Sequence, residues 1–135
     1  MERKPTFVPV VAAAIRDAEG LLLLQQALPH KRHAGLWEFP GGKVENGEIP
    51  RFALCREVAE ELGIALEAEW LEPAAFAEEP AQEGRPALVL LLYNSLRWHG
   101  DPRGVEGQTW GWFAPAEAAA LPMPAMDRML LAALR

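Results

Sequence analysis

Two apolar runs open the chain: Phe7–Ile15 (FVPVVAAAI) and Leu21–Gln26 (LLLLQQ), joined by the polar, turn-forming RDAEG. Apolar runs of this length bounded by turn residues predict two strands paired with each other. The next stretch, ALPHKRHAGLW, is polar and loop-like; Leu36–Phe39 predicts a short strand, and Pro40-Gly41-Gly42 a sharp break. A helix is predicted from Pro50 to Leu62, because Pro50 suits a first helical position and Gly63 a C-terminal stop. Ala65–Phe76 and Pro86–Leu96 predict two further strands around the loop AEEPAQEGR. After the loop HGDPRGVEGQ, Thr109–Pro115 predicts a short strand, and PAEAAAL and AMDRMLLAALR two helical pieces. Strands and helices alternate without a regular βαβ repeat. This favours an α/β (α+β) fold with a mixed sheet and helices packed on it.

The predicted helix separates its residues by chemistry. Each helical residue advances by about 100°, so Glu57, Glu60 and Glu61 share roughly a quarter of the circumference. Cys55, Val58, Ala59 and Leu62 fall almost opposite and predict the core face. The acidic face has two readings from spacing alone. Like charges three and four apart cost a few tenths of a kcal/mol per pair, which a solvated surface tolerates. Hard carboxylate oxygens also suit Mg²⁺ or Mn²⁺, and a bound cation would relieve the repulsion.

Composition narrows the class of protein. The chain has 135 residues, enough for one domain with a hydrophobic core, and half of them are hydrophobic. A formal net charge of −6 argues against a polymeric nucleic-acid binder, whereas a small anion needs only a local cation. The single Cys55 excludes an internal disulfide and agrees with a reducing compartment. The first apolar stretch carries Pro9 and no cleavage-site pattern, and no apolar run reaches the roughly 18 residues that span a bilayer. A soluble cytoplasmic protein with no membrane partner is predicted.

The register around the helix decides between the two readings. From Gly42, five residues lead to Glu48 and seven more to Arg56-Glu57, followed by Val58-Ala59-Glu60-Glu61-Leu62-Gly63-Ile64. This resembles the Nudix hydrolase signature, Gly-x5-Glu-x7-Arg-Glu-U-x-Glu-Glu-x-Gly-U with U apolar, and fills all nine defined positions within residues 42–64. GLWEFPGGKVENGE extends the similarity to the MutT-like subgroup. The resemblance implies a single Nudix domain over residues 1–135, a mixed sheet between helices with a loop–helix–loop box, and a Mg²⁺ or Mn²⁺ cofactor. It implies Glu57, Glu60, Glu61 and the Gly42 carbonyl as metal ligands, with Glu57 also in the position of a general base. Arg56 corresponds to the arginine that orients that glutamate, and Glu48 and Gly63 are structural.

Outside the box, Glu106 matches a loop glutamate that supplies a metal contact or a base in MutT relatives. Lys43 is a candidate phosphate contact. Asp127 matches a residue that hydrogen-bonds the base edge, although PMPAM departs from the usual approach to it. Val10 and Ala12 alternate on the first strand as candidate walls of a base pocket; ordinary core is their alternative. Ala27 stands where relatives often carry an arginine, leaving Lys31, Arg32 or His33 as the nearby replacements. Trp37, Phe39 and the aromatics of Trp110–Phe113 are expected in the core. The implied activity is Mg²⁺-dependent hydrolysis of a small nucleoside triphosphate such as 8-oxo-dGTP, by a monomer or homodimer. CTP, dCTP or another nucleoside diphosphate derivative is the alternative substrate, and a nucleotide-binding module without turnover the alternative class.

Overall fold

The computed structural model describes residues 7–134. Along them lie β1 (Phe7–Ile15), β2 (Leu22–Gln26), β3 (Trp37–Glu38), β4 (Gly41–Lys43) and α1 (Pro50–Leu62). Then follow β5 (Glu72–Glu79), β6 (Ala87–Ser95), β7 (Trp110–Phe113), α2 (Pro115–Ala119) and α3 (Ala125–Ala133). One sheet is mixed, in the order β4-β1-β6-β5, and a second is antiparallel, in the order β3-β2-β7. In the mixed sheet β1 and β6 run parallel, from Phe7↔Ala87 to Ile15↔Ser95.

β1 explains its own unbroken apolar sequence. Val11, Ala13 and Ile15 pack with Leu54, Val58 and Leu62 of α1, while Ala12 and Ala14 pack with Met126 and Leu130 of α3. A strand covered on both faces has no polar face to display. The mixed sheet therefore sits between helices, as the sequence predicts. Trp37 packs edge-on against Phe113 with ring centroids 5.0 Å apart, and Phe39 is buried, so these aromatics belong to the core.

The structure corrects four expectations. First, β1 and β2 do not form a hairpin; only the isolated bridge Arg16↔Leu22 joins their ends. β1 has β4 on one edge and β6 on the other, leaving no free edge for β2. Second, Ala65–Phe76 is not one strand. A 3₁₀ turn occupies Ala68–Trp70 and β5 runs from Glu72 to Glu79. Arg51 of α1 donates to the carbonyls of Ala68 and Leu71, which diverts this backbone from strand pairing. Third, the Pro-Gly-Gly break leads directly into β4, with Gly41 opposite Ala12. A Cβ on Gly41 would overlap the Val11 carbonyl, so only glycine admits this approach. Fourth, Ala59 is exposed, and the buried face of α1 is Ala53, Leu54, Val58 and Leu62.

α1 itself matches its predicted bounds. Pro50 occupies its first turn, and Gly63 adopts a left-handed φ of 68° while its N–H donates to the Ala59 carbonyl. The helix thus presents Glu57 and Glu61 toward β4 at a fixed height.

Candidate functional site

Arg56 is the hub of the outer half of the site. Its Nε and Nη2 donate to the two carboxylate oxygens of Glu48 at 2.8 and 2.9 Å, a bidentate pair. Nη1 donates to Glu57 Oε1 at 3.0 Å, and Nη2 also reaches the Lys43 carbonyl at 3.2 Å. Glu60 lies on the solvent side, 3.4 Å from the same guanidinium. The Arg56 hydrogen bonds hold Glu48 well below the usual carboxylate range, at about 2. Burial instead raises Glu57, opposed by Arg56 and reinforced by the charges of Glu60 and Glu45.

Glu57 lies directly over Gly42. A Cβ at that glycine would stand 2.7 Å from Glu57 Oε1 and would overlap the rest of the carboxylate. Glu61 occupies the inner half. Its Oε1 accepts from Gln25 Nε2 at 2.9 Å and from the Gly41 N–H at 3.0 Å. Burial pushes its carboxyl up to about 8 against those two donors, and the charges of Glu57 and Glu106 add to the rise. In both glutamates Oε1 takes the hydrogen bonds, and Oε2 takes none among the described residues.

A narrow cleft of about 50 Å³ runs past Glu61, lined also by Gln25, Ala27, Lys31, Glu38, Glu106 and Gln108. Lys31 is thus the basic residue beside Ala27, since Arg32 reaches Glu79 at 3.6 Å and His33 reaches Glu38 at 3.2 Å. A larger cavity, about 600 Å³ between Arg16, Trp70, Asn94 and Arg97, shares no residue with the box.

The other candidates fall in three places. Glu106 is exposed on its loop, with its N–H donated to Gln108 Oε1 at 3.0 Å. Lys43 is exposed at the end of β4, and its side chain has no hydrogen bond or ion pair among the described residues. Asp127 is buried in α3, and its Oδ2 accepts from the Phe39 N–H at 3.0 Å. Burial beside Glu38 raises its carboxyl to about 7. Ala12 and half-buried Val10 belong to the same core cluster as Phe39 and Met126, so both share a side of β1 with the start of α3. Gln25 and Gln108, both buried, carry no motif that would single them out in the sequence.

The donor set suits a hard divalent cation. Among the described residues no three His, Cys, Asp or Glu side chains converge to enclose an ion. Mg²⁺ does not require such a cage, because it shares its shell between one or two carboxylates, water and substrate phosphates. The partner-free oxygens of Glu57 and Glu61, held beside the β4 backbone, meet that requirement.

The chain is similar to known proteins over most of its length. A CTP pyrophosphohydrolase of Escherichia coli is 41% identical over 124 residues, covering 91% of this chain and 88% of the relative. An 8-oxo-dGTP diphosphatase of Haemophilus influenzae is 41% identical over 113 residues, covering 83% and 78%. The crystal structure of a MutT NUDIX hydrolase from Burkholderia pseudomallei superposes with a TM-score of 0.85 at 30% identity, over 97% of this chain and all of that one. No helix among the described residues is long and apolar enough to cross a membrane. The NUDIX domain model matches residues 6–134, and the chain belongs to the NUDIX family.

Proposed function

We propose that the chain is a divalent-metal-dependent nucleoside triphosphate pyrophosphohydrolase of MutT type, acting on an oxidised purine triphosphate such as 8-oxo-dGTP. The products are a nucleoside monophosphate and pyrophosphate. The observation that carries this reading is the pairing of Glu57 and Glu61, each with one oxygen free, beside the glycine backbone of β4. Similarity to diphosphatases of MutT type over most of the chain supports the substrate class.

Glu57, Glu61 and the Gly42 carbonyl would hold Mg²⁺ or Mn²⁺, with Glu60 and Glu106 at its periphery. The ion supplies charge neutralisation at the phosphates and a lowered pKa for its water. The chain does the rest. Arg56 fixes the Glu57 carboxylate so that its free oxygen is aimed at the site and able to take a proton. Glu48 anchors Arg56 through two hydrogen bonds. Lys31 and Lys43 provide the cations that a polyphosphate needs near an acidic surface. The base would be taken up beside Asp127, Val10 and Ala12, where Asp127 carries a protonatable carboxyl.

A second reading keeps the chemistry and exchanges the base for cytosine. It is favoured by the relative named CTP pyrophosphohydrolase, whose similarity reaches 91% of this chain. A nucleotide panel with Mg²⁺ separates the two, comparing kcat/KM for 8-oxo-dGTP, dGTP, CTP and dCTP and identifying the products. The highest kcat/KM on 8-oxo-dGTP, with release of pyrophosphate, is expected. Preference for CTP or dCTP establishes the second reading, and hydrolysis of no member overturns both.

A further inference from the structure

Behind Glu61 lies a chain of side-chain amides that the family motif does not contain. Gln25 Nε2 donates to Glu61 Oε1 at 2.9 Å. Gln108 Nε2 donates both to Gln25 Oε1 at 2.9 Å and to the Glu61 carbonyl at 2.7 Å. Gln108 Oε1 in turn accepts from the Glu106 N–H at 3.0 Å. Both amides are buried, at 8% and 7% exposure, and the bond between them is shielded from water.

The directions of these bonds are fixed by chemistry. Glu61 Oε1 accepts from the Gly41 N–H and Gln25 Oε1 accepts from Gln108, so Gln25 turns its N–H groups to Glu61 and its oxygen to Gln108. A backbone N–H only donates, so Gln108 must turn its oxygen to Glu106. Each amide is thereby held in a single orientation from both ends. The β2 end, the C-terminal turn of α1 and the Glu106 loop are joined by this one relay. Gly104 permits the loop's return, since a Cβ there would overlap the Gln108 carbonyl.

The consequence falls on Glu61. Gln25 and the Gly41 N–H occupy one carboxylate oxygen, the other takes no hydrogen bond among the described residues, and Glu61 lines the cleft. We infer that Gln25 and Gln108 are positioning residues. They present Glu61 to a divalent cation through a single oxygen and hold the Glu106 loop in register with it. This rests on the metal site of the proposed function. The relay acts through Glu61.

The test uses Gln25→Met, Gln108→Met and the double variant in the full chain, each compared with wild type below its melting temperature. Mn²⁺ binding without nucleotide is followed by electron paramagnetic resonance, and kcat and KM are measured with the best nucleotide of the panel. Each single variant is expected to lower Mn²⁺ affinity and kcat by about 10–100-fold, the range for groups that orient metal ligands. KM should stay nearly unchanged, and the double variant should be no worse than the poorer single one, because breaking the relay twice breaks it once. Variants that melt earlier yet keep wild-type Mn²⁺ affinity and kcat when folded would assign the amides to stability alone and overturn the inference. Multiplicative losses in the double variant would overturn the relay as a unit. If wild type binds Mn²⁺ but hydrolyses no nucleotide, the proposed function fails and the Mn²⁺ affinities alone judge the relay. A wild type that binds no Mn²⁺ overturns both.

Discussion

Asp127 and Phe39 lie far apart in sequence yet share one buried hydrogen bond, Phe39 N–H to Asp127 Oδ2 at 3.0 Å. The bond ties the first turn of α3 to the strand segment that leads into the box, beside Val10 and Ala12. A carboxylate is an unusual choice for so dry a place, and burial beside Glu38 raises it to about 7. Glu38 is itself raised by burial and held back by His33.

That choice makes stability depend on pH in a defined direction. The folded carboxyl keeps its proton from the ordinary value of 3.8 up to about 7, whereas the unfolded chain loses it. Stability of the metal-free protein therefore falls as pH rises through this window and levels off above it. Asp127→Asn keeps an acceptor for Phe39 and cannot ionise. It should remove a slope of up to about 1.4 kcal/mol per pH unit between pH 4 and 7. Glu61, raised to about 8, contributes a slope of the same sign that persists in the variant. Urea denaturation at pH 5 and pH 8 checks this; an unchanged difference between the two would show that Asp127 ionises freely.

The same residue bears on base choice. Asp127→Ala should alter the ratio of kcat/KM among the nucleotides of the panel more than it alters kcat on the best of them. An equal loss on every nucleotide would make Asp127 a packing residue only.

Two adjacent glycines should fail in different ways. At Gly41 a Cβ meets the backbone of β1, which cannot give way. Gly41→Ala should cost at least about 1–3 kcal/mol of stability, the usual range for overpacking. At Gly42 the atoms nearest to the Cβ are those of the Glu57 carboxylate, a side-chain end that can swing aside. Gly42→Ala should leave the melting temperature nearly unchanged and lower kcat by about 100-fold, as misplacement of a reacting group does. Calorimetry beside kinetics separates them; a clearly lowered melting temperature in Gly42→Ala would contradict the assignment.

How much of this was legible beforehand follows from where the determining forces act. α1 was readable to the residue because its ends are local: Pro50 starts it and Gly63 stops it. The glutamate register was readable because spacing and motif agree. The partner of β1 was not, because adjacency in sequence suggested β2 while both edges were claimed by β4 and distant β6. Ala65–Phe76 misled for a similar reason, since Arg51 draws its carbonyls toward α1. Gln25 and Gln108 were invisible. A glutamine at a strand end or in a loop looks like any polar surface residue until the fold buries it beside a carboxylate.

Arg56 should resist its conservative replacement. One ammonium cannot span both oxygens of Glu48 and also reach Glu57 and the Lys43 carbonyl. Arg56→Lys should lower kcat by about 10–100-fold. Because the cluster is solvated, the stability loss should be small beside the loss of activity. Glu48 adds an acid limb, since its depressed carboxyl contributes stability above 4.5 that is lost as pH falls toward 2. Arg56→Lys should flatten that limb in thermal melts between pH 2 and 6. Full activity in Arg56→Lys would mean that Glu57 is aimed by something else.

Glu61 offers the sharpest opposition between stability and activity. Its carboxyl, raised to about 8, opposes folding of the metal-free protein as pH climbs from 4.5 toward 8, because the unfolded chain ionises it freely. Glu61→Gln preserves an acceptor for Gln25 and Gly41 and carries no charge. The metal-free variant should therefore melt higher than wild type at pH 8, and the two should converge near pH 4. Its hydrolysis with Mg²⁺ should fall about 100–10,000-fold, as should that of Glu57→Gln, the range for loss of a group in proton transfer or of its equivalent in charge. Melting curves without metal and turnover with metal give the two numbers independently. A Glu61→Gln protein that is more stable and still active would remove Glu61 from the metal site; one that is less stable at pH 8 would show that the carboxylate is not held at a cost.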